Sequence, residues 1–144
     1  MADLLANRVL VISVLAWALA QTLKVLIYVT HERRLNLRYL ASSGGMPSSH
    51  SALVTALATG VALTTGIRGP LFAIAVLFAA VVMYDAAGVR QSVSIQARIL
   101  NRMLDEIFTE HAFNEKRLRE LIGHTPVEVF AGAVLGFVVA VVFI

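Results

Sequence analysis

Four long apolar runs limit what this chain can fold into: 9–30 (VLVISVLAWALAQTLKVLIYVT), 50–66 (HSALVTALATGVALTTG), 70–88 (PLFAIAVLFAAVVMYDAAG) and 125–144 (TPVEVFAGAVLGFVVAVVFI). A helix of roughly 20 apolar residues crosses a bilayer. With four such runs in 144 residues, little chain is left to build a soluble core. The charge content agrees: 15% of residues are charged, against about 25% in a typical soluble domain. The expected fold is therefore all-α, a polytopic membrane helix bundle forming one domain over residues 1–144, with about four transmembrane helices. The first run is longer than a signal-peptide core and carries no small-residue cleavage site, so it is read as a retained span. The second run is rich in Ala, Thr and Gly and suits a helix packed among others better than one facing lipid.

The connections carry the charge. Ile67-Arg68-Gly69-Pro70 reads as a tight turn between the second and third runs. Residues 90–122 place Ile99, Leu100, Met103, Leu104, Ile107 and Phe108 at helical spacing between charged side chains. That pattern predicts one or two amphipathic helices at the membrane interface or across the end of the bundle. His111 falls at the break between them and reads as a solvated histidine. With the four runs folded up and down, the loops 31–49 and 89–123 share one side. Ten of the twelve Lys and Arg residues then lie on or near that side, and only Arg8 and Arg68 lie toward the other. The positive-inside rule makes the charged face cytoplasmic, in the cell membrane. The formal charge of +3 is modest, and no nucleic-acid partner is expected. The chain has no cysteine, so neither disulfides nor thiolate metal sites are available.

Ionisable residues inside the runs or at their ends narrow the reading. Lys24 lies about two turns before the end of the first run, and His50 opens the second. Asp85 lies one turn before the end of the third, with Arg90 following. His124 and Glu128 open the fourth. All six come to the same membrane face. Charge inside a bilayer is costly and usually faces a partner or a polar cavity, so one shared polar site accounts for them together. The segment Ser42-Ser43-Gly44-Gly45-Met46-Pro47-Ser48-Ser49-His50 leads straight into the second run. Gly44 and Gly45 permit a tight turn with exposed amides, Pro47 fixes its exit, and Ser48 or Ser49 can cap the helix. Amides and helix dipole together favour an anion at such a place.

Each of these features also has a purely structural reading. Ser-Ser-His can be no more than a capped helix with a polar first turn. Thr125 and Glu128 form the pattern of a capping box with Pro126 at the first helical position. The alternative is that Glu128, one turn beyond His124, holds one nitrogen of that ring and leaves the other as a nucleophile. Spacing alone does not choose, and one helix can use Glu128 for both. Asp85 either neutralises Lys24 or Arg90 or takes a direct role. Arg33, Arg34, Arg98, Arg102, Lys116, Arg117 and Arg119 read as a solvated or headgroup-facing surface. Gly132 and Gly136 form a G-x-x-x-G that packs helices closely, within the protomer or between protomers of a homo-oligomer.

The stretches GGMPSSHSALVTALATGVAL, MYDAAGVR, QARILN and ELIGHTPVEVFAG resemble the divergent branch of the type-2 phosphatidic acid phosphatase superfamily, related to the vanadium-dependent haloperoxidases. The resemblance covers roughly residues 20 to 140 in matching order. It implies a phosphate pocket, with Pro47, Ser48, Ser49 and His50 standing for a Pro-Ser-Gly-His block and serine in the glycine place. His124 and Glu128 correspond to the histidine and acid of a further motif, with glutamate for aspartate. Arg90, or less favourably Arg119, supplies that motif's arginine. Lys24 resembles the lysine of the first motif, but no Arg-Pro follows it, and Arg33, Arg34 or Arg38 must stand in. The superfamily's usual bundle has six spans, and four are counted here.

What the resemblance implies is a metal-independent phosphatase in the bilayer acting on a lipid or isoprenoid phosphate through a phosphohistidine. His124, His50 and Glu128 would be catalytic, and Lys24, Arg38, Gly45, Ser48, Ser49, Asp85 and Arg90 would bind the phosphate. No cofactor is expected, and vanadate would serve as a phosphate mimic. The alternatives are a catalytically reduced membrane protein that binds phosphate or phospholipid, and a small oligomeric transporter or scaffold assembled through Gly132 and Gly136.

Overall fold

The structure, a computed structural model, describes residues 5–32, 45–88, 95–103 and 124–144. All regular structure among them is helical: α1 (Arg8–Glu32), α2 (Ser49–Thr65), α3 (Pro70–Ala87) and α4 (Pro126–Phe143), with a further helical stretch at 95–103. The sequence places the helix ends within two residues of these bounds because the stop signals are local. Asn7 accepts from the amide of Leu10 at 3.1 Å before α1. The Ser48 hydroxyl caps α2, and Gly66 closes it with a φ of 82°. Pro70 and Pro126 occupy first-turn positions of α3 and α4, where a missing N–H costs nothing.

The apolar helices hide their hydroxyls in their own backbones. Ser13 donates to the Val9 carbonyl at 2.7 Å, Thr22 to Ala18 at 2.9 Å and Thr64 to Gly60 at 2.8 Å. Such bonds let serine and threonine sit where no water is available.

The expected count of four spans is confirmed for three. Among the described residues, three helices, α1, α3 and α4, are long and apolar enough to cross a membrane. α2, with 17 residues, rises about 25 Å against a hydrocarbon core of about 30 Å. It is the centre of the bundle: it packs on α1, α3 and α4, whereas α1 and α3 do not touch. Its small side chains fit that place, since Ser49, Ser51, Ala52, Val54, Ala56, Ala58 and Gly60 are all buried.

α2 and α4 run parallel along a seam of small residues. Gly132 faces Ser48 and Gly136 faces Ala52 so closely that an added Cβ would overlap the carbonyl oxygen of each partner. One turn on, Ala56 and Ala140 are both fully buried in a cluster that α1 completes with Ile12, Ala16 and Ala20. At the far end a Cβ on Gly60 would stand 2.9 Å from Ile144 Cδ1 and 3.0 Å from Val9 Cγ1. The G-x-x-x-G face is thus filled by α2 inside the protomer, the first of its two readings. α3 packs on the other side of α2 through Ala75, Ala79, Val82 and Met83. In the 95–103 stretch, Ala97 is buried while Ile99, Leu100 and Met103 stay exposed, so those apolar side chains do not pack into the bundle. The rest of the amphipathic segment, including His111, lies outside the described residues.

Candidate functional site

Four elements end at the same pole of the bundle, and backbone bonds tie three of them together. The Ser48 amide, at the start of α2, donates to the Glu128 carbonyl of α4 at 3.0 Å. The His124 amide, just before α4, donates to the Ala86 carbonyl of α3 at 3.2 Å. These bonds fix where His50 and His124 stand, because each sits in or beside the helix start that is tied down.

The α4 start satisfies both of its readings at once. The Glu128 amide donates to Thr125 Oγ1 at 3.3 Å, and the Thr125 amide donates to Glu128 Oε2 at 3.3 Å, completing a capping box. The same Oε2 lies 2.9 Å from His124 Nδ1. A carboxylate oxygen has more than one lone pair, so cap and histidine partner are compatible. With Nδ1 donating to Glu128, the lone pair of the ring resides on Nε2, a buried atom. The His50 and His124 rings meet edge to face, with centroids 6.1 Å apart at 66°.

Lys24 is buried, at 1% exposure, about two turns before the end of a predominantly apolar helix. Glu128 is near enough for its charge to act on the ammonium, so cation, carboxylate and imidazole belong to one cluster. Ser48, Ser49 and Ser51 are buried beside it, and Ser51 Oγ donates to Ser48 Oγ at 3.0 Å. The α2 start therefore brings three buried serines to the pole. Gly45 is the remaining part of the predicted cradle. Its φ of 96° strains any residue with a side chain. A Cβ there would also stand 2.9 Å from Tyr28 Cε2, 3.0 Å from the Tyr28 hydroxyl and 3.3 Å from Lys24 Cγ.

The structure thus brings together Lys24, Gly45, Ser48, Ser49, His50, His124 and Glu128. Asp85 is exposed on the last turn of α3, where its neighbour Ala86 is the residue that reaches His124. The phase of α3 turns Ala86, not Asp85, into the bundle. Arg38 and Arg90 lie outside the described residues, as do Arg33, Arg34 and Arg119. Two residues of the cluster escape a reading of the sequence. Tyr28, one turn past Lys24 on the same face of α1, looks like an ordinary membrane-interface aromatic. Ser51 looks like one more small residue of α2. The i, i+4 spacing of Lys24 and Tyr28 is the signal that could have found the first.

The Divergent PAP2 family model matches residues 5–139, nearly the whole chain. The chain belongs to the Divergent PAP2 family. It is 42% identical to the uncharacterized membrane protein YuiD of Bacillus subtilis (strain 168), an alignment covering 97% of this chain and 96% of that protein. No solved structure matches the chain. Family, helical class and membrane character agree with the sequence reading. The matched region contains every element that meets at the pole, from Lys24 to Glu128.

Proposed function

We propose that this protein is a metal-independent phosphatase for a lipid or isoprenoid phosphate, its active pole at the cytoplasmic face of the cell membrane. The observation that carries the reading is the pair of imidazoles 6.1 Å apart, one of them held through Nδ1 by a carboxylate. A capped helix start needs neither the second histidine nor a buried lysine. The tail of the substrate lies in the bilayer, and its phosphate meets Lys24 and the amides of Gly45, Met46 and Ser49.

In the first step His124 Nε2 attacks phosphorus, the bond from phosphorus to the alcohol oxygen breaks, and protonated His50 gives its proton to that oxygen. Glu128 stabilises the charge that grows on the attacking ring. In the second step neutral His50 takes a proton from water, the resulting hydroxide attacks phosphorus and the P–N bond breaks. Inorganic phosphate leaves, and both histidines return to their starting protonation states.

The test is phosphate release from a prenyl phosphate and from phosphatidate by the purified protein with chelator present. His124→Ala is expected to fall to background. His50→Ala is expected to lose roughly 10²–10⁴-fold, the usual weight of a general acid. Equal activity of the His124→Ala protein would end the proposal. The complete burial of His124 favours one second reading, a protein that holds a phosphate group without turning it over. That reading expects vanadate to bind the wild type, and not His124→Ala, while no substrate is consumed.

A further inference from the structure

The opposite pole carries a groove that the histidine site does not use. Leu5, Arg8, Val11, Ile12 and Leu15 line it from the start of the chain and α1, and Phe143 closes it from the end of α4. Its volume of about 330 Å³ lies within the range of small-ligand pockets, about 300–1,000 Å³. Five of its six lining side chains are apolar. Arg8 is the exception and stands at the first residue of α1.

Two features say what fits. Arg8 to Leu15 covers about 10 Å of helix axis, a length contained in one leaflet of a hydrocarbon core about 30 Å thick. The groove therefore runs from the headgroup level into the acyl region, with its cation at the outer end. In addition, no Asp or Glu side chain occurs among the described residues of that pole, 5–15, 58–72 and 135–144. A guanidinium in apolar surroundings, with no Asp or Glu among these described residues, suits an anion from outside, and a planar donor fork suits a phosphate. Only an amphiphile satisfies both the charge and the apolar wall.

We propose that this groove holds one anionic phospholipid of the leaflet opposite the histidine pole, its phosphate on Arg8 and an acyl chain between α1 and Phe143. The site is independent of any chemistry at His124. Phosphatidylglycerol is a suitable probe because it is a phosphodiester and is not consumed by a monoester phosphatase.

The full-length protein, stripped of lipid in detergent and titrated with phosphatidylglycerol or phosphatidylcholine, is read by native mass spectrometry. One phosphatidylglycerol is expected to bind in preference to phosphatidylcholine. Arg8→Gln should weaken that adduct about fivefold, the contribution of one basic residue near an anionic surface, and Arg8→Lys should restore most of it. Leu15→Trp, which fills the groove and keeps the charge, should weaken it as well. Arg68→Gln removes the other cation of that pole and Lys24→Met one from the histidine pole; both should leave the adduct intact.

Circular dichroism confirms that each variant retains its helix. Equal loss in Arg8→Gln and Arg68→Gln would reduce the effect to general surface attraction and overturn the site. So would equal binding of phosphatidylcholine, competition by free phosphate, or insensitivity to Leu15→Trp. A shift from dimer to monomer in the groove variants would assign the groove to a second copy of the chain instead.

Discussion

α2 and α3 follow one another through a short turn and differ by one residue in length, 17 against 18, yet they lead opposite lives. α3 is the more apolar, and it exposes Leu71, Ile74, Leu77, Phe78, Val81 and Tyr84, burying only alanines. α2 is small and hydroxylated, and nearly every second residue is buried. In water the order would be reversed. In a bilayer, lipid tails are as apolar as leucine, so burying a leucine against another helix gains little. Close backbone approach and hidden polar groups gain more, and both come from Ser, Thr, Ala and Gly. The polar pole exists because α2, not α3, occupies the middle.

The largest expected effects test that statement where α2 meets α4. Gly132→Ala and Gly136→Ala would drive a methyl group into the Ser48 and Ala52 carbonyl oxygens, which are backbone and cannot rotate away. Overpacking of this kind costs about 1–3 kcal/mol each. Unfolding in mixed detergent should register both. Gly132→Ala should also lower phosphate release, because it displaces Ser48, whose amide holds the α4 start. Gly69→Ala is the contrast, since nothing lies within 4 Å of that position, and it should be close to silent. If the two seam variants prove as stable as Gly69→Ala, close packing is not what centres α2.

Much of this was legible in the residues, and what was not has a physical reason. Helix ends depend on neighbours in sequence, so Ser48, Thr125 with Glu128, Pro70 and Gly66 announced them. The meeting of His50 and His124 followed from an up-and-down reading that places alternate loops at one pole. Packing partners were harder. The row Ser48, Ala52, Ala56, Gly60 has the same four-residue repeat as Gly132, Gly136, Ala140, but a repeat says nothing of which helix it faces. Only the backbone register puts the α4 glycines on α2. Asp85 illustrates the other difficulty: one residue of helix turns a side chain by about 100°, enough to put Ala86 inward and Asp85 outside. Tyr28 was hidden by its chemistry, since tyrosines near the ends of spans commonly mark nothing but the interface.

A smaller effect is expected at the shared oxygen of Glu128. Thr125→Ala removes the acceptor of the Glu128 amide and should cost about 1 kcal/mol, as lost N-caps do. The carboxylate still reaches His124 Nδ1. Glu128→Gln behaves in the opposite way: its amide oxygen can still accept from the Thr125 amide and from Nδ1, so stability should change little. It removes the negative charge beside Lys24 and His124, and phosphate release should fall well below that of Thr125→Ala. Nitrogen chemical shifts of His124 separate the cases, since only Glu128→Gln should move the tautomer or charge state of the ring. A matched loss of activity in both variants would mean that Glu128 serves the helix and not the histidine.

The smallest effect is expected on the outer face of α3. Leu77 and Val81 are each 67% exposed, and they stand on successive turns of a helix whose inner face is alanine. Truncating either to alanine exchanges contact with lipid for contact with lipid. No cavity opens, and no polar group loses a partner. Each variant should therefore unfold within about 0.5 kcal/mol of the parent, and the double variant should show the sum of two small terms. Ala79→Leu, about half a turn from each on the buried side, should be costly by comparison. A loss above roughly 1 kcal/mol for Leu77→Ala would mean that the apolar face of α3 is covered by protein in the membrane. α3 would then resemble α2 after all, and the contrast between them would belong to the isolated chain alone.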